Sequence, residues 1–169
     1  FISTINKYNM TYKENGTKNL KHIWSVLCSS SVLDQDTNNL SLNNLIEQVS
    51  IKLSKEDIEK KKKENTKGFA VPVQLQVVTR IMKMVQDSSL AFELKLDLVN
   101  PAGEIVNSMK PVNIALKKGL KNIRVRNNIP VLFVDKEGGY TIIVSIKEAG
   151  ESKFTEVDRV PLDIIINTQ

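Results

Sequence analysis

The chain of 169 residues carries 24 Lys+Arg against 19 Asp+Glu, a formal net charge of +5, with 41% hydrophobic, 25% charged and 5% aromatic residues. That balance excludes wholesale disorder and a multi-span membrane protein, and the length suits one domain whose core needs no covalent staples. With one cysteine, Cys28, and one histidine, His22, an internal disulfide and a His/Cys zinc site of three or four ligands are excluded as well.

Residues 1–21, FISTINKYNMTYKENGTKNLK, read as a polar N-terminal extension without the apolar core of a secretory signal. No later stretch approaches the roughly 18 apolar residues that span a bilayer. A lone thiol in an apolar setting fits a reducing compartment, so a cytoplasmic location without membrane contact is expected. Residues 22–169 are expected to form one β-sandwich domain.

Alternation with a period of two organises most of that domain. In residues 22–33, Trp24, Val26 and Cys28 share one parity and Ile23 and Leu27 the other, so this strand is wetted little on either face, with Trp24 and Val26 expected inward. Leu40 and Leu42, then Val49, Ile51 and Leu53, suggest its hairpin partner. The segment SKEDIEKKKKE (54–64) is the helical exception. Ser54 can cap it, acids precede lysines, and Glu56–Lys60, Asp57–Lys61 and Glu59–Lys63 are acid-first pairs. Ile58 is its one apolar residue, so residues 54–67 read as a Lys-rich crossover, helical or disordered.

Val71, Val73, Leu75, Val77, Thr79 and Ile81 alternate with Gln74, Gln76 and Arg80 in the next strand. Phe92, Leu94, Leu96 and Leu98 alternate with Glu93, Lys95 and Asp97, and Asn100-Pro101-Ala102-Gly103 then reverses the chain. Weaker strands are expected near 104–107, 112–117, 121–126 and 130–134. After Lys136-Glu137-Gly138-Gly139, Tyr140, Ile142, Val144 and Ile146 point inward, and Val160, Leu162, Ile164 and Ile166 do so in the last strand. Pro72, Pro111 and Pro130 suit strand beginnings, whereas Pro161 interrupts a strand and marks it as an edge open to a partner or a second copy. Seven to nine short strands between turns predict an all-β, two-sheet antiparallel sandwich of immunoglobulin-like type.

Few residues invite chemistry. Asp34-Gln35-Asp36-Thr37-Asn38-Asn39 opens like a calcium loop, but its twelfth position is Leu45, which cannot coordinate. A polar hairpin tip, in which Asp and Asn bond their own backbone, accounts for it. His22 and Cys28, six residues apart on one strand, lie about 20 Å from each other and cannot form a nucleophile–base pair. Cys28 reads as a small core residue and His22 as a strand-start surface group. No phosphate-binding or nucleophile-elbow motif is present, and neither catalytic, cofactor-binding nor metal-ligating residues are assigned.

The charge itself is uneven. Residues 52–67 hold seven lysines against four acids, and residues 111–126 hold five bases and no acid. In KKGLKNIRVR (117–126) the five bases are Lys117, Lys118, Lys121, Arg124 and Arg126, with Arg124 and Arg126 on one strand face and Ile123 and Val125 on the other. They are the candidate contacts for a partner or for nucleic acid, although no aromatic lies among them to stack a base.

The run VLCSSSVLDQDTNNLSLNNLIEQVSI (26–51), with the later Asn-Pro-Ala-Gly turn and Gly-Gly-Tyr strand opening, resembles a bacterial and phage-associated family of single-domain proteins of unknown function. The resemblance covers about residues 22–166 and implies an immunoglobulin-like sandwich, adding no activity or cofactor. The chain departs from it in the Lys-rich insert 54–67. Taken together, the sequence predicts a non-enzymatic binding or accessory module acting through protein–protein contacts. The alternative is a nucleic-acid-binding module that uses the basic 117–126 edge.

Overall fold

Ten strands build the described part of the molecule, where seven to nine were expected: β1 (Leu20–Leu33), β2 (Leu40–Leu45), β3 (Gln48–Leu53), β4 (Phe69–Lys83), β5 (Leu90–Val99), β6 (Ile105–Ser108), β7 (Val112–Leu116), β8 (Asn122–Val134), β9 (Gly138–Glu148) and β10 (Thr155–Thr168). The computed structural model describes residues 15–56, 59, 68–85 and 87–168. Of the Lys-rich segment it describes Ser54, Lys55, Glu56 and Glu59, the last three with helical backbone; the rest of the expected crossover lies outside the described residues.

Two sheets face each other, as the alternation predicts. One has the order β2-β1-β4-β8; the other runs β3-β10-β9-β5-β6, with β7 pairing β5 beside β6. Phe92, Leu94, Leu96 and Leu98 of β5 meet Ile142, Val144 and Ile146 of β9 and Val160, Leu162 and Ile164 of β10 in a core closed by Val77, Ile81, Ile129 and Leu132. Full burial of each such side chain stabilises the fold by roughly 1.5–3 kcal/mol.

Four expectations need correcting. Trp24 and Val26 face outward. The β1–β4 register slips between His22 and Trp24, and this bulge turns Leu20 and Leu27 into the core while Trp24 and Val26 stay half-buried outside. Residues 121–126 and 130–134 belong to one strand, β8. Pro130 lies in its interior, opposite an irregularity between Pro72 and Leu75, so no ladder bond is asked of it. Val49, Ile51 and Leu53 do not extend the first hairpin. They form β3, which crosses to the other sheet and pairs parallel with β10 from Asp163↔Gln48 to Thr168↔Leu53, so the sheets are not wholly antiparallel. Pro161 itself stands where β10 pairs with β9 alone, as expected, but the edge does not run the length of the strand. That strand is one-sided up to Leu162, and from Asp163 onward β3 covers it, beginning with a 2.8 Å bond from the Asp163 amide to the Glu47 carbonyl.

Two buried polar knots tie the layers together. The Tyr140 hydroxyl donates a hydrogen bond to Asp135 Oδ1 at 2.5 Å and accepts hydrogen bonds from the Asp135 and Lys136 amides at 3.1 and 3.3 Å. It thereby fixes the turn by which the chain changes sheet from β8 to β9. Glu148, buried at the end of β9, accepts bonds from the Thr17 hydroxyl, the Asn19 amide at 2.8 Å and Asn19 Nδ2 at 2.7 Å. These bonds hold the entrance of β1 against the opposite sheet.

Candidate functional site

The five bases of 117–126 do not form one cluster. Lys117, Lys118 and Lys121 are exposed in the turn between β7 and β8, where Gly119 takes a φ of +83°. Lys83 fixes that turn. Its side chain is only 2% exposed, and Nζ donates to the Ser88 carbonyl at 2.6 Å and the Lys117 carbonyl at 3.1 Å. Arg124 and Arg126 stand further along β8, on the outer face of the four-stranded sheet, Arg124 half-buried and Arg126 exposed.

The ladder then brings in residues that spacing along the chain could not. Arg124 pairs with Arg80 of β4, and Arg80 pairs with Trp24 of β1, so the three stand side by side across three strands. At interstrand spacings of about 4.8 Å the row is roughly 10 Å wide. Arg126 belongs to the next row, with Val78 and Val26. Arg80 Nε is buried and makes no hydrogen bond. Trp24 and Arg80 were missed because residues 56 positions apart in sequence meet only through strand pairing.

Beyond Cys28 the β1–β2 hairpin leaves β4 and turns across this outer face. Ser31 bonds the Gln76 side chain, and Arg124 Nη1 donates to the Asn38 carbonyl at 3.1 Å and to Asn38 Oδ1 at 3.2 Å. The tip has the expected self-bonded form: Asp34 Oδ1 accepts the amides of Asp36 at 2.9 Å and Thr37 at 3.1 Å, which hold its carboxyl below the ordinary carboxylate range. Cys28 is fully buried on the same face as Val78, and burial pushes its thiol up. Among the described residues, no three His, Cys, Asp or Glu side chains are grouped to hold a metal ion.

His22, expected at the surface, is buried where β1 approaches the one-sided part of β10. Its Nε2 lies 2.8 Å from Ser25 Oγ and 3.2 Å from Asp158 Oδ2, and Ser25 Oγ lies 3.1 Å from Thr79 Oγ1. Burial alone would push the Asp158 carboxyl up, but bonds from His22, the Arg159 amide and Ser25 outweigh it and hold it low. The trio has the composition of a hydrolase triad without its geometry. Acid and hydroxyl share one ring nitrogen, so the imidazole cannot pass a proton between them.

A groove opens where β6 and β8 border their sheets, lined by Gly68, Glu104, Ile105, Val106, Phe133, Val134 and Asp135. A Cβ on Gly68 would lie 2.9 Å from the Val134 carbonyl, so glycine lets β4 begin against the end of β8. Ile105 is 60% and Phe133 44% exposed.

No family model matches the chain, and no curated protein matches it. Among solved structures, it is similar to the cupredoxin domain of amoB from Nitrosocaldus yellowstonii at 11% identity and a TM-score of 0.42, over 89% of this chain and 90% of that one. A family 123 glycoside hydrolase from Clostridium perfringens aligns at 11% identity and a TM-score of 0.42, over 89% of this chain but 28% of its own. The N-terminal domain of PorA aligns at 10% identity and a TM-score of 0.23, over 85% of this chain and 98% of its own. Likeness of this degree transfers no chemistry.

Proposed function

We propose that this protein is a non-enzymatic binding module that takes a protein partner as an extended strand along β8, in the groove between β6 and β8. The observation that carries this reading is the edge itself. β8 pairs on one side only, with β4, over 13 residues, and Ile105 and Phe133 stand exposed beside its last residues. Strand addition would use the free backbone groups for affinity and the two apolar side chains for selectivity. Arg124 and Arg126 guard the other half of the same edge against indiscriminate pairing. The buried, protonated thiol of Cys28 supports a reducing compartment such as the cytoplasm.

The test is capture from native-host lysate, treated with nuclease, by wild type and by the double variant Ile105→Glu/Phe133→Glu. The expected result is a nuclease-resistant partner retained by wild type and lost by a variant whose melting temperature is unchanged. Equal capture by both proteins, or none by either, overturns the reading. Nucleic-acid binding through the basic stretch, the second reading, gains from the Trp24–Arg80–Arg124 row and is developed next.

A further inference from the structure

We propose that the outer face of the β1–β4–β8 ladder binds single-stranded nucleic acid, a base stacking on Trp24 and phosphates contacting Arg80, Arg124 and Arg126. The site is separate from the β6–β8 groove. Its chemistry is set by what shares the face. Outer positions 24, 26 and 28 of β1, 76, 78, 80 and 82 of β4, and 122, 124, 126 and 128 of β8 include three arginines and no acid. Neither Arg80 nor Arg126 has an ion pair among the described residues, and Arg126 is exposed while Arg80 is half-buried. Arg124 engages Asn38 through Nη1 alone, which leaves donors of its five-donor fork for a phosphate.

The aromatic decides among anions. A basic edge by itself would suit any polyanion. An indole in the same cross-strand row as two arginines supplies the stacking surface that a bare phosphate chain or an acidic peptide would leave unused. The row is too narrow for a duplex to be followed along both backbones, since it spans only about 10 Å. Asp34 and Asp36 lie at the hairpin tip whose Asn38 meets Arg124, and neither forms an ion pair with Arg80 or Arg126.

Trp24 is the chain's one tryptophan, so its emission reports directly on the stacking position. The experiment titrates the purified full chain with oligothymidylate and oligouridylate at 50 mM salt, reading tryptophan quenching alongside the anisotropy of a labelled oligomer. The expected result is saturable quenching with a salt slope of about −2 for three phosphate contacts, at about −0.7 each. Affinity then falls roughly 20-fold between 50 and 200 mM salt by the same relation. Arg80→Gln and Arg126→Gln should each flatten the slope by about 0.7. Trp24→Ala should weaken binding about 5- to 150-fold. Should that variant fail to fold, the exposed Arg126→Gln change still decides the matter. Three results overturn the proposal: no binding at 50 mM salt; binding whose slope neither arginine variant alters, which would place the contacts on Lys117, Lys118 and Lys121; or equal quenching by inorganic polyphosphate, which has no base to stack.

Discussion

Replacing Tyr140 with Phe keeps the ring, which is 1% exposed in the core, and removes only the hydroxyl that holds the β8–β9 turn. The loss includes a hydrogen bond to the Asp135 carboxylate, about 1.5–3 kcal/mol for a charged acceptor, and leaves the Asp135 and Lys136 amides without their acceptor. Water can reach the turn in part, so the expected cost is about 2–4 kcal/mol. For a domain of this size that lowers the melting temperature by on the order of 5–15 °C. Alkaline pH supplies a second, independent reading. Burial first, and Asp135 next, push the Tyr140 phenol up from 10.0 to about 12. Its folded value thus lies above its unfolded one, so its contribution is complete below pH 10 and disappears as pH rises towards 12. Denaturant melts at several pH values should show the wild-type advantage over Tyr140→Phe shrinking by about 1 kcal/mol between pH 9 and pH 11. A difference below about 0.5 kcal/mol at neutral pH, or one that ignores this window, would refute the role assigned to the hydroxyl.

Glu148→Gln should cost about 2–3 kcal/mol, because the amide NH2 that replaces one carboxylate oxygen donates and cannot accept the bonds Asn19 or Thr17 makes there. Burial raises the Glu148 carboxyl, but the Thr17 and Asn19 bonds outweigh it and hold it low. Its contribution is therefore present above the unfolded value and lost as pH falls through the folded one, so the variant's stability should decline less on acidification. Asp158→Asn should likewise flatten the acid arm and speed hydrogen exchange in β1 near His22, with exchange rates equal to wild type arguing against the His22–Asp158 contact as a seam. Leu94→Ala should cost about 2–5 kcal/mol, whereas Val26→Ala on the outer face should cost about 1 kcal/mol or less. Equal costs would contradict the parity switch in β1.

The alternation of β5, β9 and most of β10 was legible in the sequence because each strand keeps one parity from end to end. Phe92 to Leu98 and Tyr140 to Ile146 all point where a period of two puts them. The period fails where a strand changes parity. In β1 the slip after His22 exchanged Trp24 and Val26 for Leu27, and no local signal distinguishes such a bulge from a two-faced strand. In β8 the proline resembled a boundary, since its tolerance depends on the irregularity facing it in β4. The candidate site was half readable. Arg124 and Arg126 lie on one face as the spacing implies, but Trp24 and Arg80 joined them through cross-strand register, which is not encoded in any short window.

The parallel pairing of β3 with β10 constrains the order in which the molecule can assemble. Asp163 to Thr168 close on Gln48 to Leu53 across nearly the whole length of the domain, so the ladder has high contact order and loop closure must precede its reward. Of the ten strands β10 is synthesised last, and until it emerges β9 has β5 alone and β3 has no sheet to join. The nascent chain must therefore hold β9 and β3 as two unsatisfied edges, the period when mispairing with other chains is easiest. Loss of residues 155–168 would leave the folded-over hairpin and the arginine row encoded in full, yet remove the strand that completes the sheet beneath them.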